Sequence, residues 1–149
     1  MSPLSKSPDP NLLPIDGPWS VGESQYDGKV MIVRSNTGYR ELKRVTGYEH
    51  QVGIAVPFRS PEPSGLPSPE EHVELDAIED AISNSLQEQA ESLLVAIITT
   101  SGMREFVFYT RAPQEVQHRF EQLRSRIASH EIQMMIQLDE AWEIYAELN

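Results

Sequence analysis

Cysteine is absent from this 149-residue chain. That removes disulfide frameworks, thiol nucleophiles and cysteine-ligated zinc or iron–sulfur centres. Histidine is scarce: the four are His50, His72, His118 and His130, and no two are spaced to share a metal. Glu115-x-x-His118 is half of a carboxylate di-metal motif, but that chemistry needs the motif twice with two further glutamates. No metal and no cofactor is therefore expected. The chain has no P-loop, G-x-G-x-x-G, G-x-S-x-G or EF-hand pattern. No apolar run approaches the ~20 residues of a membrane span; the longest, residues 93–98, has the length of a strand. Residues 1–14 hold one lysine and several prolines without an apolar h-region, so no secretory leader is expected and a cytoplasmic setting is. Basic residues are also few, with 12 Lys and Arg against 23 Asp and Glu, a net charge of −11. Such a balance favours solubility and opposes nucleic-acid binding through phosphate neutralisation.

What the chain does contain is enough for one domain. At ~150 residues it can bury roughly two-thirds of its unfolded surface without a metal or disulfide staple. Residues 1–16, rich in Pro, Ser, Asp and Asn, read as a disordered tail with docking near Ile15. Residues 17–149 read as a single α+β domain.

Residues 19–23 and 29–36 form a hairpin pattern around Asp27-Gly28, a type I′ turn signal. Tyr48, His50, Val52, Ile54, Val56 and Phe58 alternate as one face of a half-buried strand. After a Pro- and Gly-rich loop, Ser68-Pro69-Glu70-Glu71 predicts a capping box, with the Ser68 oxygen on the Glu71 amide and the Glu71 side chain reaching back. Leu75, Ile78, Ile82 and Leu86 supply the stripe of the helix that follows. Residues 93–100 predict a strand buried on both faces. The next strand places Phe106 and Phe108 on one face and Val107 and Tyr109 on the other. Pro113 opens a second helix with Val116, Phe120, Leu123 and Ile127. Ile132, Met134, Ile136 and Leu138 alternate as a last strand, and Asp139 is placed to cap a short final helix. From residue 48 to 138 the order is β-α-β-β-α-β, the split βαβ pattern of a ferredoxin-like core, with the N-terminal hairpin and the C-terminal helix as additions.

Two sets of residues are singled out as surfaces that could function. Residues 60–103 contain nine acids and no Lys or Arg. Glu74, Asp76, Asp80 and Glu88 on the acidic helix there form a candidate face for a basic protein partner. The second set is Arg104, Tyr109, Asp139, Trp142 and Tyr145, a candidate ligand or partner groove lined by rings with an arginine nearby. No residue is assigned a catalytic role.

The early Trp19, Asn36 after a strand, Leu66-Pro67 before the acidic helix, Gly102-x-Arg104 leading to Phe108-Tyr109, and the closing Asp139-x-x-Trp142-x-x-Tyr145 together resemble the bacterial domain-of-unknown-function family 695. That resemblance implies a fold and no catalytic residues. The Trp-x-x-Tyr ending and acidic charge are also similar to the regulator of ribonuclease E activity B, a small acidic inhibitor of an RNA-processing enzyme, which implies regulation through protein contact. The expectation is thus a non-enzymatic cytoplasmic binding or regulatory domain acting through the acidic helix, the aromatic C-terminal helix, or both. The alternative is a small-ligand or enzymatic site built on Arg104, Tyr109, Asp139, Trp142 and Tyr145. A deep pocket holding buried charge favours the alternative; a flat acidic surface favours the first.

Overall fold

A computed structural model describes residues 9–149. Strands β1 (Trp19–Tyr26) and β2 (Lys29–Asn36) form the hairpin, with Asp27 and Gly28 both at positive φ (52° and 77°) as a type I′ turn requires. The remaining strands are β3 (His50–Pro57), β4 (Ser92–Thr100), β5 (Met103–Thr110) and β6 (Gln133–Leu138). The helices are α1 (Pro69–Leu86), α2 (Pro113–Arg126) and α3 (Glu143–Glu147). All six strands form one antiparallel sheet in the order β1-β2-β4-β5-β3-β6. The hairpin extends the sheet at the β4 edge. No described helix is long and apolar enough to cross a membrane.

The sheet carries a core on each face. On one, Leu75, Ile78, Ile82 and Leu86 of α1 and Val116, Phe120 and Leu123 of α2 pack on Val52, Ile54, Val56, Phe106 and Phe108. On the other, Trp142 and Tyr145 pack with Tyr39, Tyr48, Leu93, Val95, Val107 and Tyr109. Both long helices therefore share a face, and the period-two alternation of β5 divides its residues between the cores as its sequence predicts. A register irregularity between Leu94 and Ala96 turns Val95 and Ala96 toward the same core. This bulge is why β4 reads as a continuous apolar run without strict alternation.

Three local expectations differ. Tyr48 precedes β3 and belongs to the aromatic core, and Phe58 follows it, so the alternating pattern overshoots the strand at both ends, as Ile132 does ahead of β6. Ser68 caps α1 through its Oγ on the Glu71 amide, 3.2 Å, but the Glu71 side chain does not reach back. It turns inward to accept from the Arg59 and Ser60 amides (2.5 and 3.2 Å) and pairs with His130 Nε2 at 2.7 Å. Three such partners outweigh one exposed backbone amide. The acidic helix also ends early: α1 stops at Leu86, and Glu88 lies in a 3-10 turn beyond it. Of the tail expected over residues 1–16, residues 1–8 lie outside the described residues. Leu13 and Ile15 pack against the aromatic core, and the Pro14 carbonyl accepts from Asn36 Nδ2 at 2.7 Å.

Candidate functional site

Arg104 stands at the start of β5, on the face that carries α1. Its side chain is drawn inward by the strand's period and by Thr99, whose Oγ1 accepts from Nε at 3.0 Å. The residue is only 5 % exposed. No acceptor among the described residues lies within hydrogen-bond distance of either terminal nitrogen of its guanidinium. The nearest carboxylate, Asp76 Oδ1, is 3.8 Å from Nη1. A buried charge without full hydrogen bonding is costly in a protein interior. Burial, followed by the positive charge of Arg34, lowers the Arg104 pKa from its ordinary value, against the pull of Glu79 and Asp76.

Arg104 lines a cleft of 580 Å³ between α1, the hairpin and the loop after β3. Val21, Ile32, Leu66 and Pro67 supply apolar walls; Arg34, Glu62, His72, Asp76 and Thr99 supply polar ones. The loop wall is braced. Glu62 and Leu66 are joined by an amide-to-carbonyl bond of 2.9 Å, and Gly102 donates its amide to the Gly65 carbonyl at 2.9 Å. Gly65 has φ +88°, and a Cβ there would stand 3.1 Å from the Ser101 amide nitrogen, so this close approach requires glycine. Arg34 is held by Glu79 at 2.6 Å and separates this cleft from a smaller one beside Trp19.

The remaining members of the predicted groove lie elsewhere. Tyr109 follows Arg104 by five residues, which is about 17 Å of strand and an odd step, hence the opposite face. There Tyr109 stacks on Trp142, with centroids 4.1 Å apart and planes at 9°. Tyr109 donates its hydroxyl to Asp139 Oδ2 at 2.6 Å and accepts the Tyr145 amide at 3.2 Å. Burial, then the bond to Asp139, raises the Tyr109 pKa. Trp142 is fully buried and donates Nε1–H to the Tyr48 carbonyl at 2.8 Å. Tyr145 donates its hydroxyl to the Asn36 carbonyl. Asp139 accepts the amides of Glu143 and Ile144 at 2.8 and 3.1 Å, although the N-cap position of α3 is Trp142, in a left-handed conformation. Tyr109, Asp139, Trp142 and Tyr145 thus form a filled knot with no room for a ligand between the rings, and Arg104 is apart from it.

The four acids of the predicted partner face are dispersed. Glu74 pairs with Arg59, Asp76 faces Arg104 and His72, and Glu88 pairs with Arg119 at 3.0 Å. Asp80 has no ion-pair partner among the described residues. The bases absent from residues 60–103 arrive from neighbouring elements. Among the described residues no group of three or more His, Asp and Glu is placed to hold a metal ion.

The model of a family of unknown function, DUF695, matches residues 18–148. The chain belongs to the DUF695 family. No curated protein and no solved structure matches it.

Sequence reasoning on this DUF695 chain missed two features. One is the Glu71–His130 pair, joined across 59 positions with no spacing to announce it. The other is the cleft, whose walls come from the hairpin, a Pro-rich loop and α1. The separation of Arg104 from Tyr109 was available in the sequence: five positions on a strand reverse the face.

Proposed function

We propose that this protein is a non-enzymatic binding domain that takes a small, anion-bearing ligand in the cleft between α1 and the hairpin, with the anionic group on Arg104. The observation that carries this reading is the buried Arg104 guanidinium, whose Nη1 has no acceptor among the described residues, lining a cleft of 580 Å³. That volume falls within the roughly 300–1,000 Å³ of small-molecule sites, and a convergent polar group on apolar walls is their usual composition. A basic partner on α1 has weaker support, because Arg59 and Arg119 already neutralise Glu74 and Glu88. The four strands in the order β4-β5-β3-β6, with α1 and α2 on one face, support the further reading that the ligand domain is ferredoxin-like with an added hairpin. A cytoplasmic setting agrees with the absence of cysteine.

Calorimetric titration with leucine, N-acetyl-leucine and inorganic phosphate tests the proposal. At least one should bind the native protein and lose about tenfold or more of its affinity in Arg104→Met, since a hydrogen bond to a charged group contributes about 1.5–3 kcal/mol. Equal binding by the variant, or no binding of any probe, removes the reading.

A further inference from the structure

Resting on that reading, we infer that the ligand is zwitterionic, a free α-amino acid with an apolar side chain. The argument is an inventory of the charges that meet at the cleft. Arg34 and Glu79 cancel as a close pair, 2.6 Å apart. What remains, with the His72 imidazole 3.6 Å from Asp76 counted as neutral, is Arg104 against two carboxylates, Asp76 and Glu62, with no ion-pair partner for Glu62 among the described residues. The cleft is therefore short of a hydrogen-bond acceptor at its guanidinium and at the same time one charge negative. A simple anion would meet the first need and deepen the second. A phosphate dianion would deepen it further, on a chain whose net charge is already −11. A simple cation would leave the guanidinium unsatisfied. A ligand carrying both signs meets the first need with a charge-assisted bond and leaves the second no deeper.

The spacing of the two poles selects the class of zwitterion. Asp76 Oδ1 and Arg104 Nη1 are 3.8 Å apart, too far for a hydrogen bond and close enough for groups on neighbouring atoms of one ligand. An α-amino acid carries its carboxylate and ammonium on one carbon. Its carboxylate would accept from the guanidinium, while Asp76 would accept from the ammonium. The Asp76 side chain is 58 % exposed, so it can turn toward the ligand without disturbing the core. Beyond this charged floor the walls are Val21, Ile32, Leu66 and Pro67, which suit an aliphatic or aromatic side chain and offer no partner for a polar one. Val21 is 69 % exposed and would lose that exposure over a bound ligand.

The experiment compares three derivatives of one side chain by calorimetry on the full chain: leucine, N-acetyl-leucine and leucinamide. Leucine should bind at least about tenfold tighter than either derivative, because each lacks one pole. Asp76→Asn should remove the margin of leucine over N-acetyl-leucine; Arg104→Met should weaken both. Should N-acetyl-leucine bind the native protein as tightly as leucine, the zwitterion is overturned while anion binding at Arg104 stands. Should leucinamide match leucine, with Arg104→Met without effect, both readings fall together. Absence of binding by all three at millimolar concentration overturns both. Protection of Val21 from solvent in the leucine complex, read from its methyl resonances, should accompany binding; unchanged methyl shifts would place the ligand outside the cleft.

Discussion

The aromatic cluster under α3 and the Arg104 corner beside α1 treat their polar groups in opposite ways. On the α3 face, Tyr109, Tyr145, Asp139 and the indole of Trp142 all find partners and the rings close on one another, the Tyr39 hydroxyl alone having none among the described residues. On the α1 face, at the far end of the same strand, Arg104 is buried with no acceptor on its Nη1 among the described residues and a cleft beside it. A satisfied polar cluster specifies structure; an unsatisfied one beside open space is poised for something else. The aromatic motif is the conspicuous one in the sequence, yet the rings pack on one another. The less conspicuous arginine is the group with hydrogen-bonding capacity left over.

The contrast can be broken most severely at Trp142. Trp142→Ala should cost about 3–5 kcal/mol, the usual range for removing a large buried ring. Denaturant unfolding reads this directly, and a loss under about 1 kcal/mol would mean the knot is not what holds α3 in place. Next is Glu71, the saturated counterpart of Arg104 on its own face. Glu71→Ala should cost about 3 kcal/mol by stranding two amides and His130. Burial raises the Glu71 pKa, but the Arg59 amide, His130 and the Ser60 amide outweigh it and hold the carboxyl below its ordinary value. The folded pKa is therefore the lower one. The stabilisation is complete above the unfolded value and disappears as pH falls through the folded one. Stability of the native protein should drop on acidification across that interval, and Glu71→Gln should flatten the drop; parallel curves would assign it to other carboxylates.

Smaller effects sharpen the comparison. Ser68→Ala should cost about 1 kcal/mol, because its Oγ satisfies the otherwise orphan Glu71 amide. An unchanged midpoint would show that water replaces the cap. Arg104→Met should have the smallest effect and the opposite sign. It removes a buried, incompletely bonded charge for an apolar chain of similar length, so stability should stay level or rise by about 1 kcal/mol. A loss of 3 kcal/mol or more would make Arg104 a structural residue like Glu71.

Local signals in the sequence sufficed for what depends on neighbours in the chain. The Asp27-Gly28 turn, the Ser68 cap, the stripe from Leu75 to Leu86 and the division of Phe106 and Phe108 from Val107 and Tyr109 all rest on contacts or periods within a few residues. The terminal helix was legible as an element, and Asp139 as the acceptor of its first amides, but the left-handed Trp142 at the N-cap position was not, because Asp139 acts from three residues before it. The cleft depends on Val21, Leu66, Asp76 and Arg104, which share no local pattern. Their meeting is set by sheet order, and only the strand parity of Arg104 was readable beforehand.

The hairpin that widens the sheet has a consequence that is a matter of tiling. Six strands at about 4.8 Å span roughly 29 Å, whereas two helices of about 10 Å each cover roughly 20 Å. The remainder is about two strand widths, and β1 and β2 occupy it at the β4 edge. The cleft is this uncovered margin, bounded by the flank of α1 and floored by an overhang. Its breadth is fixed by a count of strands, its height by the thickness of a helix, and neither core has to change for its lining to vary. Residues at 21, 32 and 66 can therefore be exchanged to fit different side chains while the packing beneath α1 and the ring stack under α3 remain as they are.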